Sequence, residues 1–234
     1  MEDALARVEA WMRDPGGRAR AVYFVNAHTL NLACDDASYR RVLCAADAVY
    51  GDGSGVRIAA RVLHGARLVD NVNGTDFVPQ LLTSRAGRGY RCFLLGGTEA
   101  MNVRAAEHVR ERFPGFEVTG RHHGYLDAAS SAAAVEAINK ARPHVVLVGM
   151  GNPMQERWIE TWRERLEVPV CLAIGGLFAY WSGDLDRAPA WARRLGVEWV
   201  HLLLRQPRKA GRYLIGNPRF LARLVLERRR RHFA

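Results

Sequence analysis

Short apolar segments alternate along this chain with longer amphipathic ones, and turn-forming residues separate them. The short segments have the length and the continuous apolar character of buried strands. They are residues 21–26, 48–52, 91–97, 144–151 and 168–176. Three longer segments, residues 102–113, 127–141 and 154–166, repeat apolar positions at helical spacing. Strands that alternate with helices predict an α/β fold, a Rossmann-like and mostly parallel sheet flanked by helices.

The composition fits a globular body without a metal centre. The chain has 234 residues, 49% of them apolar, which is enough to bury a substantial core. We find no run of about 18 apolar residues, and the first ten residues carry acids where a signal peptide has a basic flank. These features predict a cytoplasmic protein. The four cysteines are scattered singly and His122 and His123 are adjacent, so we expect neither a metal ion nor another cofactor.

The net charge of +10 is concentrated near the C-terminus. Residues 190–234 contain 12 Arg or Lys and 2 Asp or Glu, and the bases and acids of the remaining residues cancel. The pattern predicts a catalytic domain over residues 1–195 and a basic, amphipathic helical appendage over residues 196–234. One helical face of the appendage carries Phe220, Leu221, Leu224 and Val225, and such a helix suits an anionic membrane surface. A helix packed on the body and a nucleic-acid-binding segment are the alternatives.

Glycines gather where the predicted strands end. They lie in residues 51–55, 94–99, 149–153 and 173–176. Ligands of parallel sheets bind at these carboxyl ends, and glycine lets a phosphate approach the main chain and the following helix. The pattern therefore indicates a phosphorylated ligand, most simply a nucleotide, although such glycines also form plain tight turns. Neither GxGxxG nor the P-loop pattern is present.

Eight sequence segments, in this order, resemble the WecG/TagA/CpsF family of bacterial glycosyltransferases, also called glycosyltransferase family 26. They are VNAHTLNLA (25–33), ADAVYGDGSGV (46–56), NGTDF (73–77), FLLGG (93–97), HHGY (122–125), VGMGNPMQERW (148–158), GGLFAYWSGDLDRAPAW (175–191) and GVEWVHLLLRQPRK (196–209). The similarity extends over about residues 20–217. It implies an inverting, metal-independent enzyme that moves a sugar from a UDP-sugar to a lipid-pyrophosphate-linked acceptor at the cytoplasmic face of the membrane.

The resemblance also implies a pathway class and a donor. Its members build teichoic acid linkage units, enterobacterial common antigen or exopolysaccharide repeats. We expect an N-acetylated hexose donor such as UDP-N-acetylmannosamine, a polyprenyl-pyrophosphate-linked sugar acceptor, and an enzyme held peripherally at the inner membrane face. The sequence leaves a homo-oligomer open. The competing interpretations are another nucleotide-dependent α/β enzyme and a basic nucleic-acid-binding protein.

Asp52 is the candidate general base. It ends an apolar segment between Gly51 and Gly53, where a carboxylate can face an open cleft, and the family's proposed base occupies the matching Asp of the DG pair. An inverting transfer needs a base that takes the proton of the acceptor hydroxyl. A purely local role at a glycine-flanked turn is the alternative.

The remaining candidates bind substrate. The resemblance assigns Gly124, Tyr125, Gly149, Gly151 and Gln155 to the nucleotide and places Asn26 near the donor sugar. Tyrosine can pack on uracil, and Arg187 can pair with phosphate or with a nearby aspartate. The other candidates are Thr29, Gly53, Gly74, Thr75, Gly96, Gly97, Glu156, Lys209 and Arg212. For Glu156, ordering of the loop is the favoured interpretation.

Three positions depart from the family pattern. Phe24 replaces a common threonine, Ala179 a usual aspartate and Leu202 a usual arginine. The first two predict an altered donor contact or sugar preference. The third leaves Lys209 and Arg212 as the cationic candidates near the leaving group.

Overall fold

The computed structural model of this chain describes residues 1–14, 16–186, 188, 211 and 214–232. Its strands are β1 (Arg20–Val25), β2 (Ala48–Gly51), β3 (Tyr90–Gly96), β4 (Phe116–His122), β5 (Val145–Gly149) and β6 (Val170–Ala173). The described helices are α1 (Glu2–Arg13), α2 (Ala27–Asp35), α3 (Ala37–Cys44), α4 (Ser54–His64), α5 (Gly74–Ser84), α6 (Glu99–Arg112), α7 (Ala128–Ala141), α8 (Met154–Trp162), α9 (Leu177–Trp181) and α10 (Gly216–His232).

The strands form one six-stranded sheet in the order β2-β1-β6-β5-β3-β4, and every neighbouring pair is parallel. The predicted α/β fold with a parallel sheet is confirmed. Because all strands run the same way, their carboxyl ends meet at a single edge of the sheet. Asn26, Asp52, Gly97, Met150 and Ile174 each directly follow a strand there.

Helices cover both faces of the sheet, and each face has its own apolar core. Side chains from α1, α5, α6 and α9 pack with one set of strand residues, and those from α3, α7 and α8 with the other. Successive strand residues alternate between the cores, as Phe24 and Val25 do on β1. Helices on opposite faces serve crossovers that run in opposite directions along the sheet, as the right-handed crossover rule requires.

Strand β4 is absent from the sequence-based prediction. It lies at the edge of the sheet, and after the buried Phe116 its residues are exposed or half-buried. Its sequence FEVTGRH therefore lacks the continuous apolar run that marks the central strands. Thr119 and Arg121 on this strand are polar because that edge meets solvent.

Helix α10 packs against α2 and α4. Phe220 and Leu224 are buried there, with 5% and 7% of their surface exposed, whereas Leu221 and Val225 remain about half exposed. The prediction that these four side chains share one membrane-facing side is therefore wrong for Phe220 and Leu224. The predicted boundary at 195/196 falls outside the described residues, so the division into two domains stays a prediction.

Polar contacts add to this packing. The guanidinium of Arg223 donates to the backbone oxygen and the side-chain oxygen of Asn31, both at 3.0 Å, and it also pairs with Asp35. The Asn31 amide donates to the carbonyl of Gly216 at 2.7 Å.

None of the described helices combines the length and apolar character needed to cross a membrane.

Candidate active site

Asp52 sits at the carboxyl edge beside the end of β1. Its backbone N–H donates to the carbonyl of Val25 at 2.8 Å, and Val25 itself pairs with Gly51 across the two strands. Helix α4 begins two residues later, after Gly53, whose φ of 87° is in the left-handed region. Asp52 is half-buried. The predicted base thus lies in a sharp strand-to-helix turn next to Asn26.

Asn26 caps helix α2. Its Oδ1 atom accepts from the backbone N–H groups of His28 at 3.1 Å and Thr29 at 3.2 Å, and from the Thr29 hydroxyl at 3.2 Å. Such bonds satisfy N–H groups that a helix start leaves without partners. Thr29 is fully buried, so in this structure its hydroxyl serves the cap. Their predicted contacts with substrate stay predictions.

A second helix start approaches the same edge. Asn73 caps α5 by accepting from the Asp76 N–H at 2.8 Å and the Thr75 hydroxyl at 2.6 Å. A side chain at Gly74 would lie 3.2 Å from the Phe24 ring, so the cap packs closely on β1. The predicted candidates Gly74 and Thr75 therefore form the first turn of a helix at the carboxyl edge.

Two asparagines in this region are not among the site residues predicted from the sequence. Asn73 is one, and its signal is an asparagine three residues before an acid, a variant of the capping box. Asn71 is the other: its Oδ1 atom accepts from the Gly53 N–H at 2.7 Å, which ties the 65–73 segment to the turn that carries Asp52. A lone asparagine in a loop offers no such signal.

In the other half of the same carboxyl edge, the ends of β3, β4 and β5 pack backbone against backbone. The Gly97 N–H donates to the Gly149 carbonyl at 3.1 Å, and the Gly124 N–H donates to the Gly97 carbonyl at 2.8 Å. A Cβ atom at Gly96 would lie 2.3 Å from the Gly149 oxygen, and one at Gly124 would lie 2.8 Å from the Gly96 Cα. We call Gly96, Gly97, Gly124 and Gly149 the glycine cluster.

The glycine cluster borders the start of helix α6 and an exposed ring. Gly96 and Gly97 have φ values of 144° and 67°, and Thr98 caps α6 directly after them. Tyr125, which follows Gly124, is 75% exposed. Positive-φ glycines at a helix start allow main-chain N–H groups to face an anion. An aromatic ring beside such a turn can stack on the nucleobase of a bound nucleotide.

Gln155 connects two loops at the centre of the edge. Its Oε1 atom accepts from the N–H groups of Gly151 at 3.2 Å and Gly175 at 3.0 Å. Its Nε2 atom donates to Glu156 at 2.7 Å, and only 1% of the residue is exposed. Gln155 therefore holds the turns after β5 and β6 together in this structure. Its predicted contact with the uracil edge stays a prediction.

Glu156 is fully buried behind these loops. Its carboxylate accepts from the Asn152 amide at 2.5 Å, the Gln155 amide at 2.7 Å and the Tyr39 hydroxyl at 3.2 Å. Burial raises the pKa of Glu156 because it disfavours the charged form, and the hydrogen bonds offset this only in part. The favoured interpretation, that Glu156 orders its loop, agrees with this placement.

Three predicted cationic residues, Arg187, Lys209 and Arg212, lie outside the part of the chain that the structure describes, as does Leu202. Phe24 packs in the core, where its ring centroid lies 5.4 Å from that of Phe77. Its ring also lies beside Gly74, and the predicted effect of Phe24 on the donor contact or sugar preference stays a prediction. Within the described ranges, no group of three or more His, Cys, Asp or Glu side chains is arranged to hold a metal ion.

The carboxyl edge thus has two parts. One holds Asp52 and Asn26 at β2 and β1, and the other holds the glycine cluster and Tyr125 at β5, β3 and β4. From β2 to β5 there are three strand spacings of about 4.8 Å each. This separation suits an extended ligand whose phosphates and reactive end lie apart.

Comparisons with known proteins give one consistent set of relatives. The model of the glycosyl transferase WecG/TagA/CpsF family matches residues 1–234. A protein of Bacillus spizizenii is 29% identical over 84% of this chain and 75% of its own length. One of Staphylococcus aureus (strain MRSA252) is 29% identical over 88% and 79%, and one of Bacillus subtilis (strain 168) is 30% identical over 78% and 70%. All three carry the name N-acetylglucosaminyldiphosphoundecaprenol N-acetyl-beta-D-mannosaminyltransferase.

Proposed function

Because this chain belongs to the WecG/TagA/CpsF family of glycosyltransferases, we propose that it transfers a hexose from a UDP-sugar to a polyprenyl-pyrophosphate-linked sugar. The names of its relatives specify an N-acetylmannosaminyl group and an acceptor of N-acetylglucosamine on a diphosphate-linked undecaprenol. We propose N-acetylmannosamine or a closely related hexose as the transferred sugar. The product serves the synthesis of a cell-surface polysaccharide.

The observation that carries this proposal is the division of the carboxyl edge. A carboxylate at Asp52 and a phosphate-compatible glycine cluster occupy the same edge but different strands. A nucleotide-sugar has the matching layout, with its diphosphate in the middle and the reactive anomeric carbon at one end. With UDP at the glycine cluster and Tyr125, the sugar extends across β6 toward Asn26 and Asp52.

The reaction follows from that placement. The Asp52 carboxylate takes the proton of the acceptor hydroxyl as its oxygen bonds to the anomeric carbon of the donor. The bond from that carbon to the UDP oxygen breaks on the opposite face, so the configuration inverts and UDP leaves with the bonding electron pair. Main-chain N–H groups at the start of α6, next to the glycine cluster, offset the growing charge on the diphosphate.

Arginine side chains and these N–H groups stabilise the leaving UDP in the proposed mechanism, which needs no metal ion. Arg187, Lys209 and Arg212 are the cationic candidates. Calorimetry with UDP, NAD and single-stranded oligonucleotides, followed by a transfer assay with a panel of donors and a lipid-linked acceptor, tests the proposal. Binding of UDP and transfer in the presence of a chelator support it. Tight binding of oligonucleotides without UDP binding contradicts it, and activity that a chelator abolishes and Mg²⁺ restores contradicts the metal-independent step.

We further propose that α10 brings the enzyme to the anionic inner face of the membrane. The exposed side of α10 carries Leu221, Val225 and Leu226 beside Arg228, Arg229 and Arg230. Apolar side chains that insert at the head-group level next to arginines are the features of an interfacial helix. This position is the one at which a lipid-linked acceptor is found.

A further inference from the structure

Asn102 lies on α6, directly behind the glycine cluster, and is fully buried. Its Nδ2 atom donates to the carbonyl of Gly96 at 2.8 Å and to the carbonyl of His122 at 3.0 Å. Gly96 ends β3 and His122 ends β4. A single side-chain amide therefore joins the carboxyl ends of two neighbouring strands, just before the chain turns into the glycine cluster.

The orientation of this amide is determined by its surroundings. Both short contacts are with carbonyl oxygens, which only accept, so the NH₂ group must face them. The Oδ1 atom is buried without a hydrogen-bond partner among the described residues. A buried acceptor without a partner costs stability, and an apolar side chain of similar size avoids that cost. The two donor contacts of the amide, and not its Oδ1 atom, are therefore what asparagine contributes at this position.

The position of the contacts indicates what the amide does. Beyond Leu95 and His122 the β3–β4 ladder ends, and the next link between the two chains is the bond from the Gly124 N–H to the Gly97 carbonyl at 2.8 Å. The two hydrogen bonds of Asn102 join the chains between the last ladder pair, Leu95 and His122, and the bond from Gly124 to Gly97. Without its two donors, the turns that carry Gly97 and Gly124 can separate.

We propose that Asn102 is a positioning residue for the nucleotide: it fixes the spacing of the β3 and β4 ends and so the shape of the glycine cluster. This inference rests on the proposed use of a UDP-sugar. Asn102 does not touch the ligand and acts through the backbone at Gly96 and His122. Its loss is expected to weaken nucleotide binding and leave the chemical step at Asp52 intact.

Asn139 supplies a matched control. It is also a helical asparagine that bridges backbone groups, since its amide donates to the Arg165 carbonyl at 2.8 Å and its Oδ1 atom accepts from the Glu167 N–H at 2.9 Å. These contacts lie near the start of β6, at the amino edge of the sheet and away from the glycine cluster. A general effect of removing a bridging asparagine will appear in both variants.

The test compares Asn102→Leu with Asn139→Leu in the full chain. We expect Asn102→Leu to raise the Kd for UDP and the KM for the donor by about 10-fold, the scale of one or two lost hydrogen bonds, with kcat within about threefold of the wild type. Its melting temperature should fall, because the carbonyls of Gly96 and His122 lose their donor. Hydrogen exchange should speed up in peptides that cover residues 96–97 and 122–124. Asn139→Leu should change neither the Kd nor that exchange.

A Kd for Asn102→Leu within about twofold of the wild type overturns the inference, and so does an equal rise in Asn139→Leu. Unchanged exchange at residues 96–97 and 122–124 overturns it as well. If Asn102→Leu does not fold, Asn102→Ala is measured in the same two ways and decides. If the wild type does not bind UDP, the proposed function fails, and the exchange comparison still decides whether Asn102 holds the two strand ends.

Discussion

The backbone N–H of Asp52 donates to the carbonyl oxygen of Val25 at 2.8 Å, which places the candidate base one residue beyond a parallel strand pair and next to Asn26. This bond does not involve the Asp52 side chain. The change Asp52→Asn therefore keeps this backbone bond and removes the negative charge of the side chain. We expect Asp52→Asn to lower transfer by about 100-fold or more, the scale for loss of a general base.

In this variant the Kd for UDP, measured by calorimetry, should remain near that of the wild type. Asp14→Asn is a suitable control because Asp14 pairs with Arg20 far from the carboxyl edge. It should keep full activity. Normal turnover in Asp52→Asn removes Asp52 from the role of base.

A variant of Gln155 can distinguish two roles for this side chain, ordering of the loops and recognition of the uracil ring. Its side chain is buried and joins Gly151 to Gly175, so we expect Gln155→Ala to reduce the free energy of unfolding by about 1–3 kcal/mol. Affinity for UDP and CDP should fall by the same factor, because the loops move and no base contact is lost. Chemical denaturation and calorimetry measure the two effects. A loss of UDP binding alone, with unchanged stability, favours the contact with uracil instead.

The raised pKa of Glu156 predicts that the difference in stability between the wild type and Glu156→Gln depends on pH. Burial raises the pKa of Glu156 in the folded state above its unfolded value. For an acid with a raised pKa, the folded protein binds the proton more tightly, so stability is lost as the pH rises from the unfolded pKa through the folded one. Glu156→Gln stays neutral and keeps an oxygen that accepts from Asn152 and Gln155. Its stability relative to the wild type should therefore increase as the pH rises from about 4, where an unfolded glutamate titrates, through the raised pKa of the folded state.

Urea denaturation of both proteins at several pH values across that range measures this difference. The relative stability should level off above the raised pKa. A difference that does not vary with pH shows that Glu156 is ionised to the same extent in both states.

The two sides of α10 predict two distinct phenotypes. Leu221 and Val225 are exposed, so replacing both with serine should weaken co-sedimentation with anionic vesicles while leaving the melting temperature and activity on a water-soluble acceptor unchanged. Phe220 is buried against α2 and α4, and Phe220→Ala should destabilise the protein by about 3–5 kcal/mol. If the double serine variant still co-sediments with anionic vesicles as the wild type does, the exposed side of α10 does not make the proposed membrane contact.

The central strands and the glycine-rich edge follow from the sequence because both depend on local pattern. Continuous apolar runs mark strands buried on two faces, and parallel strands must share an edge. The edge strand β4 fails this criterion because only Phe116 among its residues is buried. Its other residues are exposed or half-buried, and it is a strand because its backbone pairs with β3.

The burial of Gln155 and Glu156 was not predictable in the same way. Both are polar and stand in the first turn of a helix, where sequence rules expect solvent or ligand. Their partners Tyr39, Gly175 and Asn152 come from three different segments, and only the tertiary arrangement brings these together. The same holds for α10, where helical periodicity identified an apolar face but not that Phe220 and Leu224 turn toward the body.

The backbone contact between Gly96 and Gly149 limits how the donor preference of this enzyme can be redesigned. A side chain at Gly96 collides with the Gly149 oxygen, so mutational libraries directed at that turn will return misfolded proteins instead of new specificities. Variation is tolerated where side chains already reach open space, at Tyr125 and at Met154, which is 61% exposed. Directed evolution toward another nucleotide-sugar should therefore randomise these two positions and leave the glycine cluster unchanged.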